Sequence, residues 1–157
     1  MIIFAKNSYS CEELLAAFKQ KRVQKIYIAL CKNCFKEKKA TLSDYLKKDE
    51  SRGVVKIYKT GENGAERIVT EYCVEEEYGD IALVKINLHT GKTHQIRAHM
   101  AFIGCPVLGD EKYGDEELNK KYNAKRQRLI AKYISFNFEG KLSYLNGKTF
   151  ESSFNLD

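Results

Sequence analysis

The sequence predicts an α+β domain built on a mostly antiparallel, mixed sheet with a few flanking helices. Three observations predict it. Short runs rich in β-branched and aromatic residues recur along the chain. Only two segments carry helical periodicity, and the connections are short and rich in turn residues. With 157 residues, 43% hydrophobic and 31% charged, a single proline and no repeat, the chain reads as one domain over residues 1–157.

Taken in order, Ile2, Ile3, Phe4 and Ala5 form a short apolar run that reads as a buried strand. Ser10-Cys11-Glu12-Glu13 then has the form of a capping box, with Tyr9 and Leu14 as a hydrophobic staple. Leu14, Leu15 and Phe18 share one face, which predicts a helix over residues 11–21. Residues 25–31, 54–59, 66–74 and 81–88 read as strands, the last with Ala82, Val84, Ile86 and Leu88 on one face. Gly61-Glu62-Asn63-Gly64 reads as a tight turn between two of them. Residues 93–103 have Ile96, Met100 and Ile103 at helical core spacing. A last strand is expected over residues 133–138, followed by turns at Gly140 and Gly147.

The net charge of +6 favours a polyanionic partner, and nucleic acid is the first candidate. The charge is segregated. One basic cluster comprises Lys19, Lys21, Arg22, Lys25, Lys32, Lys36, Lys38 and Lys39; a second comprises Lys120, Lys121, Lys125, Arg126, Arg128 and Lys132. Such clusters are equally what a solvated face looks like, so charge alone does not decide. No apolar run approaches the ~20 residues of a membrane span, and no signal peptide is evident. Five cysteines without export signals point to free thiols in a reducing cytoplasm. Cys31 and Cys34 form a lone C-x-x-C with no second pair at zinc-ribbon spacing, so no metal site is assigned.

Residues 88–114 carry the chemistry: L-H-T-G-K-T-H-Q-I-R-A-H-M-A-F-I-G-C-P-V-L-G-D-E-K-Y-G. A strand ends, Gly91 turns the chain, and Lys92, Thr93, His94, Gln95 and Arg97 surround the first turns of a helix. Polar side chains and free amides there suit an anion. Gly91-Lys92-Thr93 does not complete a P-loop, because the position five residues before Gly91 is Ile86.

This stretch resembles the signature of RluA-type RNA pseudouridine synthases, T-G-R-T-H-Q-I-R-x-H followed by I-G-x-P-I-x-G-D-x-x-Y-G. Thr90 to His99, Ile103 to Asp110 and Tyr113-Gly114 match it in order. Lys25-Ile26-Tyr27-Ile28-Ala29 resembles the family's K-x-Y-x-A strand, and residues 65–74 the strand before the signature. Residues 129–136 resemble a late strand written L-H-A-x-x-L-x-F, with Ile130 in place of histidine.

The resemblance implies isomerisation of uridine within rRNA or tRNA, without metal or organic cofactor. An aspartate carboxylate starts the reaction at the ribose, the glycosidic bond breaks, and the uracil turns and rejoins through carbon. It also implies that Arg97 pairs with that aspartate, that Tyr27 stacks on the uracil, and that Lys25, Lys92, Thr93, His94, Gln95 and His99 lie on the RNA side. The family's aspartate motif, H-R-L-D-x-x-T-S-G, stands directly before a strand like L-L-I-F-A-K, which Met1 to Lys6 resembles. The nucleophile is therefore expected a few residues upstream of Met1. Asp110 matches the family's G-D turn, whereas Asp44, Asp49 and Asp80 fall outside the motifs. Two readings stay open, a synthase domain whose nucleophile lies outside these residues and a non-catalytic RNA-binding or vestigial module. Self-association, or pairing with an upstream segment along an unpaired sheet edge, is a further expectation.

Overall fold

The computed structural model describes residues 1–61 and 64–156. In chain order the elements are α1 (Ser8–Lys19), β1 (Val23–Lys32), β2 (Lys39–Asp49), β3 (Val54–Tyr58), β4 (Glu66–Tyr78), β5 (Ile81–Leu88), α2 (Gln95–Phe102), α3 (Glu116–Lys121) and β6 (Leu129–Phe136). A 3-10 turn (Gly140–Leu145) and a short β7 (Thr149–Glu151) follow. The strands form one seven-stranded sheet in the order β3-β2-β4-β5-β1-β6-β7. Every strand pairing within it is antiparallel. The α+β class and the predominantly antiparallel sheet are thus as the sequence predicts.

Strand register decides what the sheet shows to α2. Tyr27 stands opposite Ile86, Ala29 opposite Val84, and Ile86 opposite Tyr72, so these side chains share a face. Leu42 and Asp44 of β2 join it through their partners Thr70 and Ile68. Ile96 and Met100 of α2 close over it, forming a buried cluster with Ala29, Tyr72, Val84 and Ile86. Ala17 of α1 packs with Val23, Ile134, Phe136, Phe138 and Leu142 in a second cluster. Leu118 of α3 packs with Ile81, Leu108 and Ala124 in another.

Several elements differ from expectation, among them α3 and β7, which were not expected, and β6, which starts four residues earlier than residue 133. Residues 2–5 form no strand, and Ile2 and Phe4 are 78% and 84% exposed. The run instead lines an apolar pocket with Leu14, Ile134, Phe138, Leu142 and Phe150, without pairing to the sheet. Helix α1 starts before residue 11 because Asn7 caps it, its Oδ1 accepting from the Ser10 amide at 2.9 Å. β2 was not expected, since its alternation Ala40, Leu42, Asp44, Leu46 carries an acid at an inward position. Glu62 and Asn63, the centre of the expected 61–64 turn, lie outside the described residues.

All five cysteines are free, and no helix among the described residues is long and apolar enough to cross a membrane. Gly109 joins the α2 side of the domain to β6. Its φ is +75°, and a Cβ there would lie 2.0 Å from the Arg126 carbonyl oxygen. Gly109→Ala is therefore expected to cost about 1–3 kcal/mol, read as a lowered midpoint in urea unfolding. An unchanged midpoint would mean the turn can rearrange freely.

Candidate active site and nucleic-acid interface

The turn after β5 and the first turn of α2 are held by an unbroken line of hydrogen bonds. Gln95 Oε1 accepts from the Lys92 amide at 3.0 Å and from the Thr90 hydroxyl at 2.9 Å. Gln95 Nε2 donates to Thr70 Oγ1 at 2.9 Å, and Thr70 faces His99 Nδ1 at 2.9 Å. His99 Nε2 lies 3.0 Å from Asp44 Oδ2. One assignment satisfies every atom. His99 Nε2–H donates to an ionised Asp44, Nδ1 accepts from the Thr70 hydroxyl, and Thr70 accepts from Gln95. The carboxylate thus fixes the imidazole tautomer, the hydroxyl and the amide in turn. Burial pushes the His99 pKa below its ordinary value, with Asp44 opposing only in part. Lys59 Nζ, at 2.9 Å, neutralises the other Asp44 oxygen.

Gln95 is 2% and His99 0% exposed, and every polar side-chain atom of both is bonded. The structure thereby corrects the expectation that they face RNA. They hold the turn that carries Thr90, Gly91 and Lys92, and no donor is left for a ligand.

Arg97 emerges on another side of α2. Its Nε donates to Asp110 Oδ2 at 2.6 Å and its Nη2 to Oδ1 at 2.7 Å, a bidentate pair with Asp110 fully buried. Asp110 Oδ1 also accepts from the amides of Lys112 and Tyr113, at 2.9 and 3.0 Å. Burial alone would raise the Asp110 pKa, but Arg97 and the two amides outweigh it and hold the carboxyl below its usual range. The Arg97 guanidinium lies 5.2 Å from the centre of the Tyr113 ring. Tyr113 accepts from the Val55 amide at 2.7 Å and lies 3.0 Å from His94 Nδ1, to which its hydroxyl can donate. His94 itself adopts the left-handed conformation, φ 54°, as the residue that caps α2.

Tyr27 is half-buried on β1, packed against the cluster that contains Ile96 and Met100, and burial raises its pKa. Lys25 and Lys92 line a groove of about 930 Å³ between the α1–β1 junction and the turn after β5, together with Phe18, Lys19, Lys21 and Arg67. Thr93 is exposed beside it. Lys92 is ion-paired with Glu66. The sequence expectations did not include Asp44 as a partner of His99, Asp110 and Tyr113 as the seat of Arg97, or Phe18 in the groove. Asp110 and Tyr113 could have been found, since both stand in the matched stretch. Asp44 carried no signal beyond being an acid in a strand-like alternation.

Residues 1–102, about two thirds of the chain, match the profile of the RNA pseudouridylate synthase family. The chain belongs to this family. Among its members, the Haemophilus influenzae ribosomal large subunit pseudouridine synthase C is 32% identical over 158 residues, covering all of this chain and 48% of the relative. The Borreliella burgdorferi ribosomal large subunit pseudouridine synthase D is 32% identical over 114 residues, covering 73% of this chain and 34% of the relative. The chain therefore spans between a third and a half of these curated relatives. Among solved structures, human RNA pseudouridylate synthase domain containing 1 superposes with a TM-score of 0.76 at 27% identity, over 94% of this chain and 60% of that one. Human RNA pseudouridylate synthase domain containing 4, at 23% identity and a TM-score of 0.67, shares the fold.

Proposed function

We propose that these residues form the platform of an RNA uridine isomerase, with Arg97 as the cation that holds the nucleophilic carboxylate. The observation that carries this reading is the bidentate Arg97–Asp110 pair inside the family-matching stretch. Two of the five guanidinium N–H bonds are spent on Asp110, and three remain for a second carboxylate. Asp110 keeps the arginine fixed and charged before that carboxylate arrives. Tyr27 supplies the flat ring against the uracil. Lys25, Lys92 and Thr93 meet the RNA, which the ribosomal large subunit synthases among the relatives favour as ribosomal, with transfer RNA the other target the resemblance implies. Once the carboxylate has attacked the anomeric carbon and the carbon–nitrogen bond has broken, the uracil turns, its C5 attacks the same carbon and displaces the carboxylate, and the C5 proton is lost as N1 gains one. Five free thiols fit a reducing, cytoplasmic setting.

In this reading the nucleophile is not among the described aspartates. Asp44 is bound to His99 and Lys59, Asp49 to Ser51, Asp80 to Lys121 and Tyr122, Asp110 to Arg97, and Asp115 to Lys32 and the start of α3. Each is committed elsewhere, which favours a second reading in which the 157 residues bind RNA without converting it. We expect no turnover from these residues alone, because the covalent step has no carboxylate to perform it. Release of tritium from RNA labelled at uridine C5 measures this. Release above a no-protein control would overturn the assignment and place the nucleophile within the chain.

A further inference from the structure

Lys25 is a cation without an acidic partner among the described residues. Its side chain is half-buried, and burial alone depresses its pKa. Lys92, across the same groove, has Glu66, and Arg22 has Glu139. An ammonium partly stripped of water and left unpaired is costly, and an anion from solution is what relieves it. The ammonium lies 5.7 Å from the centre of the Phe18 ring. That ring is 43% exposed on the last turn of α1, where an apolar side chain gains little from folding. On the other side the ammonium sits against Gly91. A Cβ at residue 91 would fall 2.8 Å from Lys25 Nζ, so only glycine leaves the ammonium where it is.

We propose that Phe18, Lys25 and Gly91 form a nucleotide subsite, in which Lys25 binds a phosphodiester oxygen and Phe18 stacks on an unpaired base of a single-stranded RNA segment. It rests on the reading of the groove as the RNA side of the domain, and names which form of RNA lies there. Ring and ammonium are close enough for the base and phosphate of one nucleotide to engage both. A base inside a duplex offers no free face to Phe18, so the site selects single strands. The exposed Lys19 and Lys21 extend the positive path beyond the subsite.

The test is equilibrium binding of a fluorescent single-stranded oligouridylate, and of a duplex of equal length, to the chain and three variants across a salt series. Phe18→Ala is expected to weaken single-strand binding about 5- to 100-fold. Lys25→Met is expected to reduce the slope of log affinity against log salt by about 0.7. Gly91→Ala keeps the net charge and displaces only the tip of a flexible side chain. It is expected to weaken binding while the melting temperature stays at that of the parent. Duplex affinity should be insensitive to Phe18→Ala. If the parent binds the single strand and all three variants bind it equally well, the subsite is wrong and the RNA reading stands. If the parent binds neither probe, the RNA reading falls with it. Equal loss of single-strand and duplex binding in Phe18→Ala would overturn the stacking role.

Discussion

Asp110→Ala is expected to destabilise the domain by about 3–5 kcal/mol, because it strands Arg97 in a largely buried site without its counter-charge. The side chain of Asp110 is fully buried and that of Arg97 16% exposed, so water can replace the carboxylate only in part. The amides of Lys112 and Tyr113 lose their acceptor in the same step. Tyr113 would then drift from the Val55 amide, loosening the contact between the loop and β3. The effect has a pH signature. The folded pKa of Asp110 is held below its unfolded value, so its contribution is complete above about pH 4, the ordinary carboxylate value, and is lost as pH falls through the folded value. Urea unfolding of the parent and Asp110→Ala should show a wide stability gap at pH 7 that narrows below pH 4. A gap that is the same at both ends would mean that packing, and not the charge pair, anchors the loop.

His99→Ala is expected to cost a similar amount, about 3–5 kcal/mol, for different reasons. The imidazole is fully buried, and its loss leaves a ring-sized cavity with Asp44 and Thr70 facing it. The pH window differs as well. His99 is neutral in the folded state with a depressed pKa, so the unfolded chain binds the extra proton first. Stability from this residue is therefore complete above about pH 6.5 and declines as pH falls below it. The parent should lose stability more steeply between pH 6.5 and 5 than His99→Ala, whose remaining slope comes from His94, also depressed by burial. Parallel curves would show that His99 does not titrate differently on folding. Because Gln95 is the last link before the Lys92 amide, the variant should also shift the amide resonances of Thr90 to Lys92, which lie far from the cavity along the chain.

Most of the sheet was legible because its strands alternate cleanly. Ala82, Val84 and Ile86 face inward and are fully buried. α2 was legible from Ile96 and Met100. What could not be read was long-range polar pairing. Asp44 breaks the pattern of β2 only because His99, 55 residues away, is there to bind it. Helix α3, six residues long, is too short for periodicity to reveal, although Asp115 caps it in the usual way. The N-terminal run misled for the opposite reason. Ile2, Ile3 and Phe4 have the composition of a strand, but composition does not decide whether a run pairs with the sheet or only packs against its side chains. At the site, Arg97 and Lys25 were identified by motif, whereas what each touches required the fold.

The order of the strands sets a schedule for synthesis. β1 lies near the centre of the sheet, yet its two neighbours, β5 and β6, begin at residues 81 and 129. A growing chain thus carries both edges of β1 open until β5 emerges, and one edge open for roughly 100 residues, on the order of 5–20 seconds of elongation. The strand holds Ile26-Tyr27-Ile28-Ala29-Leu30, an uncharged window of the kind that pairs with other nascent chains. Lys25 and Lys32 flank it. Charges flanking such a window oppose its pairing with another copy, so replacing both lysines is expected to raise aggregation during refolding.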